Sequence, residues 1–135
     1  MTASKENEQI YFRLTNLGSM LIGLSQHDIK NKFPDNPICF VSYYEKIDWG
    51  NIVEVRFDEE KVTFTCTLNN EKRCNSAYLF FDEHFDVLDY MEYIKNTFAY
   101  DYLGCRWLLH NCFMTTKKID GITGFMFYKI DQSTS

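Results

Sequence analysis

Two sets of side chains in this sequence have the types that do chemistry: thiols near imidazoles, and carboxylates mixed with phenols. Cys105 and Cys112 lie close to His110, and with His84 they supply the ingredients of a thiol nucleophile and its base, which act only within hydrogen-bonding reach of each other. Cys112 and His110, two apart, would share one face of a strand, yet both stand in an apolar run, where buried thiols are inert. Cys74, His84, Cys105, His110 and Cys112 are also the pool for a metal ion, and they lack the paired close spacings of a zinc site. Asp82, Glu83 and His84 are consecutive, so their side chains diverge. Acids placed just before a helix stabilise its positive end by roughly 0.3–1 kcal/mol, the plainer role here. No Gly-rich phosphate loop is present among the six scattered glycines. The expectation is no catalytic residue, no cofactor and no metal.

The second set is concentrated in Asp82 to Asp101, DEHFDVLDYMEYIKNTFAYD. At about 100° per residue, Val87, Met91, Ile94 and Phe98 form one stripe suited to a core, and Asp86, Asp89, Tyr93, Asn96 and Tyr100 gather opposite it. Tyr90 lies at the margin of that second face and Glu92 on its flank. Carboxylates and phenols would then share a surface suited to a basic protein partner, with rigid contact area from tyrosine and charge-assisted bonds from the acids. The candidate protein-binding residues are Asp86, Asp89, Tyr90, Glu92, Tyr93 and Tyr100. An acidic helix face that is merely solvated is the plain alternative.

Charge supports the same segment. The formal net charge is −5, and residues 82–101 carry six acids against the single base Lys95, while the rest of the chain is balanced. Long-range attraction would draw a basic partner toward this helix. Tyr78 and Phe80 could stack bases, but the basic and glycine residues of an RNA-recognition strand are missing around them, so no nucleic acid is expected. The expected role is a non-catalytic binding domain, an inhibitor or immunity-type partner of a toxin or nuclease. The alternatives are a small-molecule-binding domain or small enzyme with an aromatic-lined pocket, and a homo-oligomer, such as a homodimer, joined through the N-terminal helix.

The whole chain of 135 residues fits one domain, 1–135, that needs no metal or disulfide to bury its core. Five cysteines with no C-x-x-C spacing, and a start, MTASKENEQI, without an apolar signal core, point to free thiols in the cytoplasm. No apolar run approaches the ~20 residues that cross a membrane. Aromatic residues make up 17%, a high share that suits either large buried rings or contact anchors.

The positioning elements follow from periodicity. Ile10, Leu14, Leu17, Leu21 and Leu24 repeat at steps of four and three, predicting a helix over 5–24 that Ser4 could cap and that Gly18 could end near Leu17. Ser25 and Asp28 open a short second helix with Ile29 and Phe33 on its apolar side, and Pro34 stops it. Strands are predicted at 38–44, 53–57, 62–68 and 77–81, with a loop holding Trp49 and Gly50, and a four-residue hairpin loop from Asp58 to Lys61. A helix over about 85–100 follows. Residues 103–119 read as a central strand bulged at Asn111, then Asp120 and Gly121 turn into a last strand, 122–130, with Gly124 as a bulge. The sum is an α+β fold, a mostly antiparallel twisted sheet of five or six strands with the helices packed on one face and the ends, 1–5 and 131–135, frayed.

Overall fold

The computed structural model describes residues 5–44 and 47–129, with side chains at 7–39 and 52–129. Three helices and eight strands follow in the order α1 (Lys5–Leu21), α2 (Gln26–Lys32), β1 (Ile38–Tyr44), β2 (Ile47–Phe57), β3 (Val62–Leu68), β4 (Cys74–Phe81), α3 (His84–Thr97), β5 (Ala99–Asp101), β6 (Arg106–Leu108), β7 (Phe113–Ile119) and β8 (Ile122–Tyr128). The fold is α+β with an antiparallel sheet, as the pattern predicts, but the sheet has eight strands rather than five or six, in the order β1-β2-β3-β4-β8-β7-β6-β5. Two departures from the expected elements account for the extra strands. Residues 109–112 reverse the chain, with the Leu109 amide bonded to the Cys112 carbonyl at 3.0 Å, so 103–119 splits into β6 and β7 at the point where a bulge at Asn111 was expected. The helix ends at Thr97, and extended backbone at Phe98 leads directly into β5. The predicted loop around Trp49 and Gly50 is instead the beginning of β2. Ser4 and residues 131–135 lie outside the described residues.

Local chemistry explains the elements that do agree. Ser25 and Asp28 form a capping box on α2, each side chain bonded to the other's backbone amide. Asp120 and Gly121 both have positive φ, the backbone that a two-residue hairpin turn requires. Gly124 is not a bulge: β7 and β8 keep one register from Phe113–Tyr128 to Ile119–Ile122, and a Cβ at this glycine would lie 2.5 Å from the Phe80 ring. The glycine makes room for an aromatic ring crossing from β4.

Alternation along the strands sends Val53, Val55, Phe64, Cys66, Leu79, Phe125 and Phe127 to one buried face. α1 lies over β4 and β8 on this face, beside α3, which also covers β4. The leucine stripe of α1 belongs to that core, with Leu14 and Leu21 fully buried and Ile10, Leu17 and Leu24 partly buried and packed against it. No described helix is long and apolar enough to cross a membrane.

Candidate functional site

The helix α3 begins where Glu83 leaves an extended backbone and ends at Phe98, whose amide bonds to the Ile94 carbonyl. Its buried residues are Val87, Tyr90, Tyr93 and Ile94. Val87 and Ile94 are as predicted, whereas the expected outward placement of Tyr90 and Tyr93 is corrected: the core-facing side is turned toward them, and Met91 and Phe98 are only partly buried. The cause is α1. A helix lying alongside α3 converts one of its solvent flanks into a seam between helices, and two phenol rings fill the seam. Tyr90 meets Phe125 edge-on at 4.7 Å and Tyr11 at 5.2 Å, and Tyr93 lies 5.7 Å from Tyr11.

The hydroxyls in this seam have partners and a direction. Thr15 donates its proton to the Tyr11 carbonyl at 2.7 Å, so in the 2.7 Å contact between Thr15 and Tyr90 the phenol must be the donor, since a hydroxyl has one proton. Tyr11 donates to the Asp89 carboxylate at 2.8 Å, and the Asn7 amide donates to the same oxygen at 3.1 Å. Burial, then the hydrogen bond to Asp89, pushes the Tyr11 phenol up, and burial does the same for Tyr90. Both stay protonated as donors. Asp89 is thus a link between helices. The sequence carried a signal for this: Asn7, Tyr11, Thr15 and Ser19 stand at steps of four beside the leucine stripe of α1, a polar row that matches the tyrosine flank of α3.

What α3 turns outward is different. Phe85 is 70% exposed and Leu88 58% exposed; Glu92 and Lys95 continue that stripe at helical steps. Of the acids in 82–101, Asp82 is held by Arg56 at 2.6 and 2.7 Å, which keeps its carboxyl below the usual range. Asp101 is held by Arg106 at 3.2 Å. Glu83, Asp86 and Glu92 have no ion pair among the described residues. Burial, then the nearby Asp89 and Glu83, raises the Asp86 carboxyl. Tyr100 is half-buried on β5, away from this stripe, in edge contacts with Tyr102 and Trp107.

The thiols and imidazoles are distributed over the fold. His84 begins α3, and His110 lines a cleft of about 190 Å³ with Thr97 and Phe98 at its far end, roughly 20 Å along a helix of this length. The cleft's other walls come from α1, with Phe12, Asn16 and Ser19. Cys39 and Cys105 are exposed, and Cys66, Cys74 and Cys112 are buried. Burial pushes the Cys112 thiol up against an opposing hydrogen bond from Ser19, and contact with Cys74, then burial, pushes up Cys66. Raised thiols are the reverse of an activated nucleophile. Among the described residues no group of three or more His, Cys, Asp or Glu side chains is placed to hold a metal ion. Comparison of the chain with protein-family models, with curated proteins and with solved structures finds no match.

Proposed function

We propose that this chain is a non-catalytic protein-binding domain that docks a basic partner on the outward face of α3, a role suited to an inhibitor or immunity-type partner of a toxin or nuclease. The observation that carries the reading is the pairing of two large exposed apolar side chains, Phe85 and Leu88, with Glu83 and Glu92, acids that have no ion pair among the described residues. Apolar anchors supply contact energy once desolvated, and charges at the rim steer association. Tyr90 and Tyr93 serve this surface from behind by fixing α3 against α1, and Asp89 does the same through Tyr11 and Asn7. A small-molecule reading has less support: the cleft of about 190 Å³ beside Phe98 is below the ~300–1,000 Å³ that drug-sized ligands occupy, and the roomier hollow beside Lys95, about 480 Å³, is open to solvent rather than enclosed.

The test is affinity capture from lysate of the native cells at low and at raised salt, with identification of what is retained. The expected result is a basic protein that is released by salt and is not retained by a Leu88→Ser/Glu92→Lys variant with an unchanged circular dichroism spectrum. Retention of the same protein by that variant would reject α3 as the docking surface.

A further inference from the structure

Past the end of α3 the sheet continues beyond its helical cover. Tyr100 pairs with Trp107, and Trp107 with the buried Met114, so both rings lie on the helix side of the sheet, where residues opposite each other in register share a face. Tyr100 meets Trp107 at 4.8 Å and Tyr102 at 4.9 Å, both close to perpendicular. With Lys95 and Phe98 from the end of α3, these three rings line an open hollow of about 480 Å³. Lys95 is the one charged residue in that lining, and its ammonium has no ion pair or hydrogen bond among the described residues.

The hollow borders an open strand edge. β5 is the last strand of the sheet and pairs with β6 on one side only, so backbone donors and acceptors along its other side have no strand partner among the described residues. The hairpin joining β5 to β6 is held in shape. The Asp101 carboxylate accepts from the Leu103 amide at 3.2 Å and from Arg106 Nε at 3.2 Å. The Arg106 guanidinium lies over the Phe113 ring at 3.8 Å, and Thr115 Oγ1 donates to the Cys105 carbonyl at 3.2 Å. A hairpin fixed in this way presents Tyr102, 83% exposed, and Leu103, 100% exposed, with little left to order on binding.

We infer that the β5 edge and its aromatic hollow are a docking site for an extended, largely uncharged segment of a partner protein carrying one carboxylate. The segment adds to β5 as a further strand, which supplies the main-chain bonds, and its alternate side chains fall on the hollow. One of these, aromatic or branched, fills the space between Tyr100, Tyr102 and Trp107, and a carboxylate two residues away meets Lys95. A single acid is specified because the chain's net charge of −5 repels a polyacidic segment. The site meets the outward stripe of α3 at Lys95, and a change at Leu88, which alters the stripe alone, distinguishes the two.

Panning the full chain against displayed random octapeptides tests this. The expected consensus has one acidic residue two positions from an aromatic or branched one, and binding about tenfold weaker in Trp107→Ala. Lys95→Glu changes an exposed side chain and leaves the fold intact; its expected consensus exchanges the acid for a base. Selected peptides should also slow amide exchange at Ala99–Asp101, and Leu88→Ser should leave their binding unchanged. The inference is overturned by the absence of any consensus, by a consensus that Lys95→Glu does not alter, or by unchanged exchange along β5.

Discussion

The Tyr90 hydroxyl donates to Thr15, Thr15 donates to the Tyr11 carbonyl, and the Tyr11 hydroxyl donates to Asp89, so single side chains here have separable structural roles. Removing only the Tyr90 hydroxyl, in Tyr90→Phe, should cost about 1 kcal/mol, because Thr15 loses one partner and keeps the other. Tyr90→Ala also removes a ring fully buried against Phe125 and Phe81 and should cost about 3–5 kcal/mol. Urea unfolding measures both, and losses within about 0.5 kcal/mol for the pair would mean the ring is at the surface. Asp86 makes the opposite prediction. Its folded carboxyl is raised by burial, then by Asp89 and Glu83, so the folded state holds the proton to higher pH than the unfolded chain, and stability falls as pH rises from the unfolded value, about 4, through the folded one. Asp86→Asn should therefore raise the thermal midpoint at pH 7 and leave it unchanged near pH 3. An equal shift at both would refute the electrostatic cause. Residue identities made the acids of α3 readable in advance; that Asp82 and Asp101 are neutralised by Arg56 and Arg106 depended on distances no spacing contains.

Among the elements, Gly18 decides how closely α1 can lie on the sheet. Glycine in a helix interior costs about 1 kcal/mol relative to alanine, the reason an end near Leu17 was predicted, yet α1 runs on to Leu21. A Cβ at Gly18 would lie 2.7 Å from the ring of the fully buried Phe127, so the glycine is what allows α1 to settle on β8. Gly18→Ala should lower stability by about 1–3 kcal/mol despite its better helix propensity, and Phe127→Leu in the same chain should recover part of the loss relative to Phe127→Leu alone. A gain in stability on Gly18→Ala, seen in denaturant unfolding, would show that α1 does not pack this closely. The four-three periodicity of α1 was readable because its core stripe faces the sheet. Tyr90 and Tyr93 lie elsewhere than the periodicity of α3 predicts, because the burial of a helix flank is decided by the neighbouring helix, and a period within α3 records nothing of α1. The strand β5, three residues long, carries too little pattern to register, and β6, equally short, reads from its alternation only as one strand with β7.

At the scale of the molecule, the strand order β1-β2-β3-β4-β8-β7-β6-β5 places two four-strand meanders back to back, each preceded by a helix that lies on the common core. Hairpin turns made the pairing of β2 with β3 and of β7 with β8 readable, but the pairing of β4 with β8, from Ser76–Tyr128 to Leu79–Phe125, joins segments about fifty residues apart and has no local signature. That seam carries the coupling of the halves: Leu79 and Phe125 are fully buried in it, and the Tyr90 ring meets Phe125 there. One core cluster includes side chains from both meanders and all three helices, so neither half keeps its apolar face covered without the other. The two tryptophans are well placed to test this, since Trp49 belongs to β2 and Trp107 to β6, each the second strand from its own edge of the sheet. In the single-tryptophan variants Trp49→Phe and Trp107→Phe, urea midpoints followed by fluorescence should coincide with those followed by far-UV circular dichroism on the same variant, as one cooperative transition requires. A fluorescence transition of Trp107 that precedes the loss of strand signal would show that β5 and β6 open as a separate unit, and would make the β5 edge a segment that orders on binding rather than one already formed.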